Sequence, residues 1–242
     1  MEEKVNQASK LLAKRAAQVQ GGGARAAVLG VNDGLVSTLC LVTGVAAAGG
    51  DAKAVLIAGL AGLLAGAISM AAGEWISVKA QVELFQGVLD DLREIVKTNK
   101  PLLAASLARD FQRRGIDAKT AVVATKEVAK DSEQFLAMYA AQVMGVKQDE
   151  LGSPITSALS SFLLFTAGSI VPLLPWLLSV KGMTAILVAA TLTGIGGMLV
   201  GGYTARSSGK NIVYGAFRQL TIIIFATLVT YGIGWLFGVV TS

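Results

Sequence analysis

Histidine is absent from all 242 residues, and cysteine occurs once, at Cys40. The first absence removes histidine general acid–base catalysis, serine–histidine triads, imidazole ligation of haem and di-histidine zinc sites. The second removes an intramolecular disulfide and any multi-cysteine zinc or iron–sulfur site. A bound metal would have to use carboxylate, carbonyl, hydroxyl, thioether or the one thiol. Charge is scarce as well. Asp, Glu, Lys and Arg make up 15% of the chain, where soluble domains carry about a quarter. Apolar residues reach 53% and the mean hydropathy is +0.62. Twenty-eight glycines would weaken soluble helices, yet they suit helices that pack closely in a bilayer. The composition is that of a membrane protein.

Five apolar stretches are long enough to span a bilayer, which takes roughly 20 residues. They cover 26–48, 54–78, 155–180, 183–205 and 212–240. Short polar turns separate them at Gly49-Gly50-Asp51, Lys181-Gly182 and Ser207-Ser208-Gly209-Lys210. Pro172 and Pro175 are expected to bend the third span, because each removes a donor and crowds the preceding turn. The fold class is therefore an all-α membrane protein: five transmembrane helices with a small cytoplasmic three-helix insert between spans two and three. Its parts are a leader over 1–25, spans one and two over 26–78, the insert over 79–152 and spans three to five over 153–242. The leader has no apolar core and ends in a glycine hinge at Gly21-Gly22-Gly23, so it does not read as a signal peptide.

Lysine and arginine bias sets the expected orientation. With the N-terminus in the cytoplasm, only Lys53 and Lys181 fall outside, leaving 19 of the 21 basic residues inside. The C-terminus then lies outside. The formal charge of +5 is thus topological, and nucleic acid is not an expected partner. The short leader, without an acidic dileucine signal at Leu11-Leu12, leans towards a prokaryotic inner membrane over a vacuole.

The insert carries eleven basic and eleven acidic residues. Its helices are expected to run from the second span to about Thr98, from Pro101 to Arg114 and from Asp117 to Val146. Pro101 suits a first helical turn and Gly115 a helix end. Leu103, Leu107 and Phe111 recur at four-residue spacing and mark an apolar face, with Val128, Phe135, Met138 and Val143 as candidates to cover it.

Asp33 stands out among the polar residues, because an ionised carboxylate inside a membrane span usually lines a hydrated path or meets a partner. It lies about seven residues (~10 Å of helix) inside its span, next to Asn32. Gly30 and Gly34 flank the pair and would let another helix approach. The alternative is an interfacial Asp33 capped by Arg25 or Lys79. Met70 and Glu74 lie four apart on one helix face, which Gly66 and Gly62 continue. A thioether aligned with a carboxylate suits Fe²⁺ better than Mg²⁺; packing for Met70 and interfacial anchoring for Glu74 are the alternatives. Glycine pairs at Gly62/Gly66, Gly197/Gly201 and Gly234/Gly238 read as close helix packing. Arg206, Lys210 and Arg218 read as headgroup contacts, with pairing to Asp33 or Glu74 as the alternative for Arg218. In the insert, Asp91, Glu94, Glu127 and Glu133 are candidates for a metal-loading cluster, set against a solvated, salt-bridged surface.

The run Arg25-Ala-Ala-Val-Leu-Gly-Val-Asn-Asp-Gly-Leu-Val-Ser-Thr38, followed by Gly66-Ala-Ile-Ser-Met70 within 58–77, resembles the vacuolar iron transporter family. Arg113-Arg-Gly-Ile-Asp117 in the insert and the glycine-rich fourth span extend the resemblance over nearly the whole chain. The resemblance implies a homodimer enclosing a path along which Fe²⁺, often also Mn²⁺, leaves the cytoplasm in exchange for protons. It implies that Asp33 is the pathway aspartate, and the site of proton coupling, and that Met70 is the pathway methionine. No permanently bound cofactor is expected; the metal is cargo. Two departures stand out. Gly62 occupies the position where some members carry a pathway glutamate, and Pro101-Leu-Leu-Ala-Ala-Ser-Leu107 replaces a glutamate-rich stretch of the insert. The expected function is a proton-coupled divalent-metal exporter and not an enzyme. The alternative is a non-transporting metal sensor or scaffold of the same fold.

Overall fold

The computed structural model describes residues 23–145 and 152–241. Most of the leader, the side chain of Arg25, the expected helix end at Val146 and the terminal Ser242 lie outside the described residues. Among these residues there are seven helices: α1 (Gly23–Ala47), α2 (Ala52–Arg113), α3 (Ala118–Val128), α4 (Ser132–Gln142), α5 (Pro154–Leu177), α6 (Gly182–Ser207) and α7 (Ile212–Thr241). Five of them, α1, α2, α5, α6 and α7, are long and apolar enough to cross a membrane. The chain divides into two compact units, one made of residues up to Trp75 with those from Ile155 onward, the other of Ile76–Pro154.

All five long helices feed the core of the first unit. Leu39 and Val42 come from α1, Val55 and Leu63 from α2, Leu173 and Trp176 from α5, Ala185 and Ala189 from α6, and Ile223 from α7. Glycines set how closely the helices meet. A methyl group on Gly34 would overlap the Phe165 carbonyl oxygen, and one on Gly168 would overlap that of Val31, so α1 and α5 touch backbone to backbone. The same holds for Gly201 against Gly215 across α6 and α7, and for Gly234 against Gly44 across α7 and α1. Without a hydrophobic force between helices in lipid, such close van der Waals seams are a main source of cohesion.

α5 runs through Pro172 and Pro175 as one continuous helix. Both prolines lie in its last two turns and are buried, and each leaves the carbonyl four residues before it without its helical donor. The helix closes two residues after Pro175, with Ser179 N–H donating to Trp176 O (3.1 Å) and Val180 N–H to Pro175 O (2.8 Å). Ser179 takes the left-handed conformation, φ 62°, that glycine usually fills in this closure.

In the second unit, α2 leaves helical geometry at Asn99 (φ −136°, ψ 34°), two residues before Pro101, whose ring crowds the carbonyl four residues back. After α2, Gly115 at φ 92° ends the helix as expected. The stretch expected as one helix from Asp117 to Val146 is instead two, α3 and α4. The break has a clear cause: Asp131 takes an extended conformation and its carboxylate accepts from the backbone N–H groups of Glu133 (2.9 Å) and Gln134 (3.2 Å). That cap satisfies donors an uninterrupted helix would have bonded internally. Asp117 caps α3 in the same way. Leu103, Leu107, Phe135, Leu136 and Ala140 join Leu92 and Val96 in the core of this unit, with Phe111, Val128, Met138 and Val143 packed against it.

Candidate functional site

A cleft of about 320 Å³ opens in the first unit, lined by Asp33, Ser37, Thr38 and Leu41 of α1, Gly62, Gly66, Ser69 and Met70 of α2, and Phe165 of α5. Helical spacing explains both walls. Positions 33, 37 and 41 are successive turns of one face, as are 62, 66 and 70. The glycines shape the cavity and offer no ligand. The Phe165 ring lies where a Gly66 side chain would stand, and the end of Leu41 lies where one on Gly62 would. The cleft therefore has an aromatic and aliphatic floor with one carboxylate, three hydroxyls and one thioether on its walls.

Asp33 is exposed in the single chain, and among the described residues no ion pair or hydrogen bond occupies its carboxylate. Ser37 Oγ donates instead to the backbone carbonyl of Asp33, at 2.5 Å. This leaves the carboxylate oxygens open to a ligand.

Glu74 is placed differently. It lies one turn beyond Met70, half-buried, and the cleft lining ends at Met70. Arg218 is exposed and pairs with neither Asp33 nor Glu74 among the described residues. The insert candidates do not gather. Glu94 bonds Lys97 (2.7 Å), Glu127 bonds Lys130 (2.8 Å) and Glu133 bonds Arg93 (3.3 Å), while Asp91 is exposed. The hydrogen bonds that the Arg93 guanidinium donates to Glu133 and then to Asp90 raise its pKa. Among the described residues no three acidic or cysteine side chains come together as a metal site. Of the two readings of these residues, the structure contains the salt-bridged surface around Glu94, Glu127 and Glu133. Lysines three residues on in sequence reach Glu94 and Glu127, and Arg93 of α2 reaches Glu133 of α4.

Sequence reasoning missed Gln219. Its side-chain amide, 8% exposed, donates to the Asn32 side-chain oxygen across α7 and α1. An amide within an apolar 29-residue span is the signal that marks it, but the neighbouring charge of Arg218 is the more conspicuous feature of that turn.

Five long apolar helices, three of which line a cleft with a free carboxylate and a thioether, define a multi-span membrane protein with a polar, sulfur-bearing site. The chain belongs to the VIT family, whose pattern matches residues 24–235. It is 36% identical over 220 residues to vacuolar iron transporter homolog 1 of Oryza sativa subsp. japonica, covering 88% of this chain and 73% of that one. Vacuolar iron transporter of Acanthamoeba castellanii is 33% identical over 225 residues (89% and 78%). Vacuolar iron transporter homolog 2 of the same rice is 33% identical over 223 residues (89% and 91%). These relatives are named for the vacuole, which weighs against the prokaryotic inner membrane suggested by the short leader.

Proposed function

We propose that this protein carries a divalent metal ion, Fe²⁺ or Mn²⁺, out of the cytoplasm in exchange for protons, and that Asp33 binds the ion. The observation that carries this reading is that Asp33 and Met70, from different helices, line one cleft. Relatives named iron transporters support the metal. A hard oxygen beside a soft sulfur suits a borderline ion such as Fe²⁺. A carboxylate binds either a proton or a metal ion, so loading one releases the other, which is the chemical basis of exchange. Nothing in this reading calls for covalent chemistry, and the protein is not an enzyme.

One chain offers too few donors for a complete coordination shell, and its carboxylate is exposed. A lone charge facing lipid is costly, and a second copy of the chain would cover it while doubling the carboxylate and the thioether. The bias of basic residues places the N-terminus and the residues between spans two and three in the cytoplasm, with the C-terminus outside. Glu74, one turn from Met70, would collect ions at the cytoplasmic mouth.

Proteoliposomes with an acidic interior test the mechanism. Wild-type protein takes up Fe²⁺ or Mn²⁺ and releases protons, and Asp33→Ala abolishes uptake. Unchanged uptake in that variant would end the mechanism. Metal binding without flux in the wild type would favour a sensor or scaffold.

A further inference from the structure

The side chain of Gln219 crosses from α7 to Asn32, the residue immediately before Asp33. Its path is built by absent side chains on α6. A Cβ on Gly201 would approach the Gln219 Cβ to 2.8 Å, and Gly197, whose own side-chain space is taken by Ile223, leaves room beside the Gln219 Cγ at ordinary contact distance. The two glycines form a slot in which the stem of Gln219 lies, so the amide is buried yet still reaches α1. Successive residues on a helix are about 100° apart, so whatever anchors Asn32 towards α7 also determines which way Asp33 faces.

We propose that Gln219 is a positioning residue: held in the Gly197–Gly201 slot, it anchors Asn32 and thereby sets the rotation of α1 at which Asp33 faces the cleft. The inference rests on the reading of Asp33 as the ion-binding group. In a membrane the Asn32 amide has no water to replace a lost partner. With Gln219 gone, α1 relaxes towards rotations that give Asn32 another neighbour, and Asp33 turns from the cleft.

Thiol accessibility tests this without requiring transport. Cys40 is the single cysteine, so Cys40→Ala yields a thiol-free chain, and Asp33→Cys then reports on position 33 in the full-length protein. A charged, water-soluble methanethiosulfonate labels that position through the open cleft. Adding Gln219→Leu lowers the labelling rate roughly threefold to fifteenfold, the range an interhelical hydrogen bond in a membrane supports. The length swap Asn32→Gln with Gln219→Asn restores the rate, whereas Gln219→Asn alone does not. Where Gln219→Leu gives no monodisperse protein, the single and double asparagine variants answer the same question. Equal labelling with and without the bond overturns the inference.

In liposomes, with Asp33 and Cys40 intact, Gln219→Leu raises the KM for Mn²⁺ more than it lowers kcat. A purely structural contribution would reduce active protein at constant KM, and that result also overturns the inference. Loss of uptake in Asp33→Ala together with unchanged labelling counts against Gln219 alone. Normal uptake in Asp33→Ala counts against the proposed function, and the labelling series still decides the geometry.

Discussion

Carboxylates in the two units of this molecule meet opposite fates. Those of the Ile76–Pro154 unit are mostly spent on neighbouring cations: Glu83 on Lys79, Asp90 and Glu133 on Arg93, Glu94 on Lys97, Asp110 on Arg114 and Glu127 on Lys130. Asp33, in the five-helix unit, has no cation partner among the described residues and looks into a cleft with a thioether opposite. Acidic residues by themselves are therefore a poor guide to a metal site. The informative ones lie within an apolar span and lack a counterion, because there an incoming cation meets a carboxylate that nothing else neutralises. The contrast also separates roles: one unit contains the candidate chemistry, and the other is an apolar core with a salt-bridged exterior.

Substitutions can break that separation or sharpen it. The largest effect is expected in the smaller core, where Phe135 is fully buried. Phe135→Ala should cost ~3–5 kcal/mol, read as lost hydrogen-exchange protection in α3 and α4, with ion preference unchanged. An altered metal preference in that variant would mean that the second unit takes part in selection. Met70→Leu comes next. It conserves volume, so stability should change by less than ~1.5 kcal/mol. Removal of the sulfur should still lower Fe²⁺ uptake roughly tenfold, the lower end of what disturbing a metal's ligand surroundings costs. Equal Fe²⁺ uptake by the two proteins would return Met70 to a packing role. The smallest effect belongs to Glu94→Gln combined with Glu127→Gln. Exposed pairs of this kind contribute about 0–1 kcal/mol each, and uptake should not change. A clear loss of uptake would restore these glutamates as metal-loading groups.

Much of the architecture was legible because span-length apolar runs have few alternatives. The expected boundaries at 54, 155, 183 and 212 fall within two residues of the observed helix starts. Asp33 and Met70 could be paired before any coordinates because the resemblance to the vacuolar iron transporter family implies both as pathway residues, while helical spacing alone aligned each only with small neighbours on its own helix. Features that depend on competition between nearby groups were harder. Asp131 carries no mark that distinguishes a helix cap from a helical surface position, so the α3–α4 break was missed. Glu94 and Glu127 stood open to two readings, ligand or surface ion pair, and their side chains lie on lysines. The Gln219–Asn32 bond joins residues 187 apart, and no local pattern registers contact over that distance.

The glycine contacts around the cleft also differ in kind from wall to wall. Around α1 they are main chain on main chain: Gly34 on Phe165 and Ser169, Gly44 on Thr230, and Gly234 of α7 on Gly44. Along α2 they are main chain on side-chain ends: Gly59 on Leu173 and Val42, Gly62 on Leu41, and Gly66 on the Phe165 ring. Polypeptide backbone yields little, whereas leucine tips and a phenyl ring yield by rotamer change. One side of the cavity is a stiff jamb and the other a padded one, so a change in its width meets less resistance along α2 than along α1.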